Sequence, residues 1–255
     1  MSTVDREVAL EGLSALLQTT LKPYNGLNGY LDQNMLNIHN FLPVAFGKLF
    51  ADLSYTLLQP AAVSGFILAG VRQEMFVNMD EFFDPPFDYD FRYTSDNSIC
   101  MRGNERYKRP CGWYRFALKV LNKYPDGNTW LGTDGWRSHS MAGEWPVSYH
   151  GTSVEGATGI IKSHYTAGPG QLYGRGIYST YDIDQASGYS REFTSKKNGK
   201  KYRVLLQNRI NPEKRKVCDR PDYWLIEVPE GTSPAVEKEI VEKSIRPYGI
   251  LLKEV

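Results

Sequence analysis

The segment that decides the fold reads VSYHGT at residues 147–152. Its first three residues alternate as a short, half-buried strand does, and His150 ends that strand. Gly151 then allows another part of the backbone to approach closely. Helical spacing follows over residues 153–162, so the segment predicts a strand that carries a histidine to the edge of a sheet. A histidine at a strand end is by itself more often structural than functional, and its interpretation depends on the segments that follow.

Two further segments have the same sequence pattern, in which glycines interrupt short strands. GRGIYST occupies residues 174–180, and ASGY occupies residues 186–189. The order of HGT, GRGIY and a second tyrosine is far more specific than any one of these segments. A Rossmann fingerprint is excluded, because Gly174 and Gly176 lack a third glycine and no strand–helix–strand unit surrounds them. A serine hydrolase is excluded because no nucleophile elbow is present.

Taken in this order, the segments resemble the catalytic domain of the poly(ADP-ribose) polymerase-like ADP-ribosyltransferases. The resemblance covers roughly residues 145–255 and, more loosely, residues 88–255. DYWLI at residues 222–226 resembles the family's third motif, a strand opened by a carboxylate, and IRPYGIL at residues 245–251 resembles its last strand. The resemblance implies an α+β fold of two packed antiparallel sheets, NAD as a substrate and no metal ion.

The resemblance also implies roles for the residues that match its motifs. His150 would donate a hydrogen bond to the adenosine-side ribose of NAD, and Thr152 would reach the same ribose. The backbone of Gly151 would hold the carboxamide of the nicotinamide. Tyr178 and Tyr189 would sandwich the nicotinamide ring. His150 and Tyr178 are thus expected in catalysis as well as in NAD binding.

The catalytic carboxylate implied by the resemblance is Asp222, which would hold the 2′-hydroxyl of the nicotinamide ribose and orient the acceptor. Polymerising members have glutamate at this position. Aspartate is one methylene shorter, so we expect transfer of single units instead of chain growth. Glu227 lies five residues further on and is the rival carboxylate. A serine commonly precedes the second tyrosine by three positions, but that position here is Ala186, and Ser187 is the candidate substitute in NAD binding.

The expected activity is mono-ADP-ribosylation of a protein acceptor with release of nicotinamide. Cleavage of the glycosidic bond passes through an oxocarbenium-like transition state, which a nearby carboxylate stabilises. Two alternatives remain open at this point. The acceptor could be a nucleic acid, or the chain could be an inactive module that binds NAD or ADP-ribose without chemistry.

We divide the chain into a helical N-terminal segment with an acidic linker, residues 1–87, and an ADP-ribosyltransferase-like catalytic domain, residues 88–255. Apolar residues spaced three or four apart predict three helices in the first part, over residues 10–21, 42–57 and 66–79. Pro23 ends the first of them. This segment could cover the NAD cleft as a regulatory cap, dock partner proteins or stabilise the fold. After about residue 88 the pattern changes to short strands separated by turn residues.

The charge of the chain is divided unevenly. The formal net charge of the 255 residues is +1. Residues 1–100 hold 5 basic and 12 acidic residues, whereas residues 101–255 hold 25 basic and 17 acidic residues. An anionic ligand such as a nucleotide would more naturally meet the second part. Hydrophobic residues make up 41% of the chain and aromatic residues 13%, which excludes a wholly disordered protein.

The sequence indicates neither a secretory leader nor a membrane-spanning helix. The longest uncharged stretch, residues 53–71, contains serine, threonine, glutamine and proline, and charges lie near the start of the chain. The three cysteines form no C-x-x-C pair, which is typical of a reducing compartment. We therefore expect an intracellular protein, cytoplasmic or nuclear, without a membrane partner. His139, His164 and Cys218 lack the spacing of metal ligands.

Two basic segments have more than one interpretation. Residues 102–109 carry four cations among aromatic neighbours, which could bind NAD phosphates or an anionic acceptor, or could form a solvated turn. Lysines flank an Asn-Gly pair at residues 196–201, a pattern that predicts a hairpin turn. That turn could be a solvated tip or could steer nucleic acid.

Overall fold

The fold is seen in a computed structural model that describes residues 5–24, 35–36, 38, 41, 74–132, 138–151 and 173–255. Within these residues the chain has few helices and mostly antiparallel strands. The α+β class predicted from the sequence is therefore confirmed. The helices predicted over residues 42–57 and 153–162 lie outside the described residues.

The α-helices whose bounds lie within the described ranges are α1 (Arg6–Leu17), α2 (Met79–Phe82), α3 (Ile183–Ser187) and α4 (Pro234–Ser244). The strands are β1 (Thr20–Pro23), β2 (Met35–Leu36), β3 (Glu74–Val77), β4 (Tyr89–Asp90), β5 (Met101–Arg102), β6 (Glu105–Arg106), β7 (Tyr114–Ala117), β8 (Val147–His150), β9 (Gly176–Thr180), β10 (Arg191–Thr194), β11 (Lys201–Ile210), β12 (Lys216–Val217), β13 (Tyr223–Glu227) and β14 (Ile245–Glu254). None of the helices in the described ranges is long and apolar enough to cross a lipid bilayer.

Nine of the strands form one sheet in which every neighbouring pair is antiparallel. Its order is β12-β13-β9-β8-β11-β14-β7-β4, and β10 pairs with β11 beside this path. The long strands β11 and β14 form its centre, paired from Tyr202↔Glu254 to Ile210↔Ile245. Strands β1, β3 and β2 form a separate parallel sheet, and β5 and β6 form a hairpin.

Both faces of the large sheet are buried, because side chains alternate along each strand. One face carries the larger apolar cluster, which includes Leu206 of β11, and the other carries a smaller cluster, which includes Leu205. Helix α1 packs against the first of these faces. A Cβ atom added to Gly12 would lie 3.0 Å from Leu252 Cδ2, so the helix backbone approaches β14 closely. The N-terminal helix and the sheet therefore share one core.

The start of α1 is fixed by polar contacts. The side chain of Asp5 accepts a hydrogen bond from the backbone N–H of Glu7, as an N-cap does. Lys197 Nζ lies 2.7 Å from Asp5 and 2.9 Å from Glu7. Lys197 belongs to the turn between β10 and β11, where Gly199 has a φ of 72°. The predicted lysine-rich hairpin is confirmed, and its tip contacts the start of α1.

Two of the N-terminal predictions differ from the structure. The first helix ends at Leu17, because Leu21 lies in β1 and pairs in parallel with Met75 of β3. The helix predicted over residues 66–79 is wrong at Glu74–Val77, which form β3. Short apolar runs have no periodicity that distinguishes a buried strand from a buried helix, and tertiary pairing decides between them.

Helix α4 lies against the face of the larger cluster, and both of its ends contact the sheet. Arg175, just before β9, donates a hydrogen bond to Glu237 in the first turn of α4. After β11, the backbone N–H of Asn211 donates to the carbonyl of Ser244 at 2.7 Å. Val241 is buried in the cluster between these contacts. The helix thus covers the sheet beside the start of β9 and the end of β11.

Two buried arginines occupy the end of the sheet where β11 ends and β14 begins. The guanidinium of Arg246 lies 3.9 Å from the ring centre of Tyr124 and 3.0 Å from Asp126. The guanidinium of Arg209 lies 2.9 Å from Glu144, whose side chain is fully buried. We call this group the cation box; its members are Arg209, Arg246, Asp126, Glu144, Tyr124, Trp130 and Trp145.

Candidate functional site

His150 lies at the end of β8, where this strand meets β9. The two strands are paired at a single position, Tyr149↔Thr180. Beyond it, His150 Nδ1 lies 2.7 Å from the carbonyl oxygen of Tyr178. A carbonyl only accepts hydrogen bonds, so Nδ1 carries the proton of this contact. Burial lowers the pKa of His150, although its hydrogen bond to Tyr178 opposes the shift. The ring is therefore neutral near pH 7.

Gly151 follows directly and has a close neighbour from a distant segment. A Cβ atom at this position would lie 2.5 Å from Leu205 Cδ2 and 2.5 Å from the carbonyl oxygen of Tyr189. No side chain fits there without displacing backbone. The glycine in the HGT motif thus has a steric reason, and it brings the backbone of Tyr189 against the end of β8.

Tyr178 lies in β9 with its ring half-buried. Its hydroxyl donates to the carbonyl oxygen of Gly174 at 2.6 Å and accepts from the backbone N–H of Tyr173 at 3.2 Å. Burial raises the pKa of Tyr178, so the phenol stays protonated. These contacts fix the ring over the turn that precedes β9.

Tyr189, after α3, is 44% exposed. Its hydroxyl lies 3.1 Å from the hydroxyl of Tyr223, the first residue of β13. Burial, followed by this contact, raises the pKa of Tyr223 to about 12. Tyr223 is paired with Thr180 and therefore points to the same face as Tyr178. Three tyrosines from three segments are thus held on one side of the sheet.

The two candidate carboxylates lie at opposite ends of β13. Asp222 immediately precedes the strand, is 20% exposed at its side chain and lies 3.4 Å from Arg220. Glu227 ends the strand, is 56% exposed at its side chain and lies 2.8 Å from Lys216. Asp222 adjoins Tyr223, which contacts Tyr189, whereas Glu227 is paired with the first residue of β9.

The remaining predicted residues have separate positions. Ser187 is the last residue of α3, and its carbonyl accepts a hydrogen bond from the hydroxyl of Ser190 at 2.7 Å. Ala186 is buried in the smaller apolar cluster, where a serine hydroxyl would face apolar neighbours. Thr152 lies outside the described residues. The structure therefore brings the segments of His150, Gly151 and the tyrosines together, with the His150 side chain bonded to the backbone of Tyr178 and on the opposite face of the sheet from its ring.

No protein-family model matches this chain, and no curated protein sequence matches it.

A cleft of about 450 Å³ opens beside Asp222, at the carboxyl end of β9. It is lined by Glu105, Arg106, Lys108, Tyr181, Asp182, Val217, Pro221 and Trp224. Its wall contains a complete ion pair, because Lys108 Nζ lies 2.8 Å from Asp182. Behind the wall, the guanidinium of Arg215 stacks 3.9 Å from the ring centre of Trp224. The cleft is charged on both sides and has an aromatic floor.

The first basic segment is mostly engaged by the protein itself. Of its four cations, Arg102 lies 3.6 Å from Glu144 and Arg109 lies 3.0 Å from Asp96, while Lys108 pairs as described above. Arg106 is exposed at the cleft. The segment therefore helps to build the cleft and presents one exposed cation there.

Sequence reasoning missed Tyr223, although the signal was present. Its position in β13, opposite Thr180, places it on the face of Tyr178, and it is the first residue after the carboxylate in the strand expected at residues 222–226. Among the described residues, no group of three or more histidine, cysteine or carboxylate side chains is arranged to hold a metal ion. Cys100, Cys111 and Cys218 are free thiols.

Proposed function

We propose that this protein transfers ADP-ribose from NAD to an acceptor, one unit at a time, on an ADP-ribosyltransferase-type fold. The observation that carries the proposal is the hydrogen bond between His150 and the carbonyl of Tyr178. It joins the two sequence motifs whose order suggested NAD chemistry, across 28 positions of chain. The close approach of Tyr189 to Gly151 adds the third motif to the same region.

The nicotinamide end of NAD would lie on the face shared by Tyr178 and Tyr189. Flat aromatic side chains suit a flat leaving group, and stacking contributes about 1–3 kcal/mol for a base on an aromatic ring. The backbone of Gly151 would contact the carboxamide, since the absence of a side chain leaves its amide and carbonyl accessible. Tyr189 is half-exposed and needs no large displacement to meet a ligand.

The His150 side chain lies on the other face of the sheet from the ring of Tyr178, and it would contact a ribose hydroxyl of NAD where the ligand passes the end of β8. In the neutral ring with its proton on Nδ1, Nε2 has a lone pair and accepts a hydrogen bond. The direction is therefore the reverse of the donor role expected from the resemblance. Protonation would convert Nε2 into a donor and would place a positive charge beside a ribose that itself becomes positive during the reaction, so the neutral form is the productive one.

In the reaction, an acceptor atom attacks the anomeric carbon of the nicotinamide ribose. The carbon–nitrogen bond breaks, its electron pair leaves with nicotinamide, and the acceptor loses its proton. Positive charge develops on the ribose in between, and a carboxylate fixed nearby stabilises it. We assign this role to Asp222, because it adjoins Tyr223, whose hydroxyl contacts that of Tyr189, whereas Glu227 lies at the far end of β13 beside Lys216.

The cleft beside Asp222 is where an acceptor would enter. Its mixed charges and aromatic floor fit a protein side chain and its flanking residues. A nucleic-acid acceptor is less well supported, because three of the four lysines that could steer it are paired within the chain. Lys197 contacts α1, Lys200 contacts Glu254, and Lys201 contacts Glu192.

A non-catalytic module that binds NAD or ADP-ribose is the second candidate. The observation in its favour is the ion pair of Asp222 with Arg220, which neutralises part of the charge needed at the ribose. The pair is 3.4 Å long, and the Arg220 side chain is 55% exposed, so the contact is readily exchanged for water. Catalysis is therefore the first proposal and binding alone the second.

The test is incubation of the protein with NAD labelled in the adenosine part, scoring nicotinamide release and label on protein or added nucleic acid. Tyr189→Ala is the informative variant, and Tyr93→Ala is its control, because Tyr93 is an exposed tyrosine outside the site. We expect the first variant to lower nicotinamide release and the second to leave it unchanged. NAD binding without nicotinamide release would select the binding module, and absence of both would reject NAD chemistry.

A further inference from the structure

Three buried polar side chains lie beside His150 on the face of the larger apolar cluster. Ser148 and Asn208 have no exposed surface, and Ser179 is 4% exposed. Within the described part of the chain, the hydroxyls of both serines lack a hydrogen-bond partner. The same holds for both the amide nitrogen and the amide oxygen of Asn208. Four polar atoms are therefore buried in one region without a hydrogen-bond partner among the described residues.

The strand registers bring these side chains close together. Asn208 of β11 lies directly opposite Ser148 of β8. Ser148 and Ser179 flank the pair Tyr149↔Thr180 and are diagonal neighbours on one face. Directly opposite residues have Cβ atoms about 4.5–5.5 Å apart, and diagonal neighbours are about 7–8 Å apart. Short side chains across the diagonal do not reach each other, but one or two water molecules span such a gap.

These polar atoms have apolar neighbours, so burying them is unfavourable unless they form hydrogen bonds. Ile177, Leu206 and Ile210 share the same face and belong to the apolar cluster. A buried hydroxyl or amide without a partner destabilises the folded state, because it has lost its hydrogen bonds to water. Interior sites where several such groups converge commonly hold ordered water, each molecule making about three hydrogen bonds.

We propose that Ser148, Ser179 and Asn208 bind a cluster of ordered water molecules between β9, β8 and β11, and that this cluster positions His150. Strands β8 and β9 share one described backbone pair and the contact of His150 with Tyr178, and the water cluster is a further link between them. It lies beside the contact of His150 with Tyr178 and keeps the two strands at the separation that this contact requires. The proposal concerns the interior of the sheet and stands apart from NAD chemistry.

The first test asks whether removing the polar atoms of Asn208 lowers or raises the stability of the protein. Asn208→Leu keeps the size of the side chain and removes its polar atoms. We expect a lower urea midpoint, because the bound water loses its partners and the gap remains. A raised midpoint overturns the proposal, because it means that Asn208 was unsatisfied and that an apolar residue fits better. Ser179→Ala is a milder variant and should also lower the urea midpoint. It replaces Asn208→Leu in the test if that variant does not fold.

The second test separates positioning from a purely structural role. The two ring nitrogens of His150 have distinct ¹⁵N chemical shifts, which report which nitrogen carries the proton. We expect Ser148→Ala and Ser179→Ala to change these shifts. Ser195→Ala is the control, because Ser195 is also buried but lies in the hairpin turn, where its hydroxyl accepts from Lys197. A lowered midpoint with unchanged His150 signals overturns the positioning role.

The third measurement distinguishes water from a polar ligand. The side-chain amide signal of Asn208 should show transfer of magnetisation from water in the isolated protein. We expect addition of NAD to leave that transfer in place. Its loss on adding NAD would mean that the ligand replaces the water, and it would overturn the assignment to a permanent water site.

Discussion

The cation box and the surroundings of His150 both bury polar groups in the same sheet, yet they do so in different ways. In the cation box, Arg246 has a carboxylate, a backbone carbonyl and aromatic rings as neighbours. Around His150, the serines and the asparagine have no described partner, and Tyr189 is half-exposed. Among the described residues, Arg209 Nε is the only buried side-chain nitrogen or oxygen of the cation box without a hydrogen-bond partner, whereas four such atoms lie around His150.

This difference suggests that the cation box stabilises the fold and that the polar groups near His150 serve function. A buried charge is tolerated when its partners are fixed, and removing one partner leaves an uncompensated charge. Such groups hold a fold in one arrangement. A buried polar group that lacks a hydrogen-bond partner in the protein lowers stability, and such groups are typical of sites that bind water or a ligand. Substitutions in the cation box should therefore change stability, and substitutions near His150 should change chemistry or local geometry.

The largest expected effect is at Arg246. Arg246→Ala removes the buried side chain that the rings of Tyr124 and Trp145 surround and leaves a cavity, so we expect a loss of about 2–5 kcal/mol in the free energy of unfolding. Urea denaturation measures it. Arg106→Ala is the control, since that arginine is exposed, and it should change stability very little. A small loss in Arg246→Ala would mean that the cation box does not hold the sheet together.

The next effect concerns the reaction. Asp222→Asn keeps the shape of the side chain and removes its charge, and we expect nicotinamide release to fall by about 10²–10³-fold. The urea midpoint and the affinity for NAD should remain close to those of the natural chain. Glu227→Gln is the matched variant at the other end of β13 and should retain activity. The reverse pattern would assign the catalytic carboxylate to Glu227.

The third prediction tests the contact of Gly151 with Tyr189. Gly151→Ala places a methyl group 2.5 Å from a backbone oxygen, so we expect a loss of about 1–3 kcal/mol in stability and a displaced Tyr189. At Gly188 the nearest atom to an added Cβ is 3.4 Å away, so Gly188→Ala should be tolerated. Denaturation and tyrosine signals in NMR spectra check both variants. Equal behaviour of the two would contradict the close approach.

The smallest effect is on pH dependence. The pKa of His150 is lowered in the folded state, so the unfolded chain binds its proton first as the pH falls. The stability contributed by neutral His150 is complete above its ordinary pKa of 6.5 and decreases as the pH falls below that value. In His150→Gln, the free energy of unfolding should decrease less as the pH falls below 6.5. His139→Gln, at an exposed loop position, should leave it in place.

Sequence reasoning located the parts of the candidate site that are local in the chain. The strand ending at His150, the strand containing Tyr178 and the strand after Asp222 are all present. Each has alternating or β-branched residues between turn signals, which is local information. Helix α4 was missed, although Ser233 and Pro234 mark its start.

The parts that sequence reasoning did not find depend on contacts between distant segments. The cation box joins Tyr124, Glu144, Arg209 and Arg246, and nothing near any one of these residues indicates the others. The contact of Tyr189 with Tyr223 likewise spans 34 positions. The parallel strand β3 lies in an apolar run that propensity alone does not resolve. Only the assembled sheet defines these relationships.

The packing of α1 against β14 has a consequence for how the chain reaches its folded state. Leu17 ends the helix and Ile245 begins the strand, so at least 228 positions separate two elements that cover one another. β14 also pairs with both β11 and β7 at the centre of the sheet. During synthesis the apolar face beneath α1 therefore stays incomplete until the last strand emerges. Contacts of such long range make folding slow, so we expect the newly made chain to need protection from aggregation during that interval.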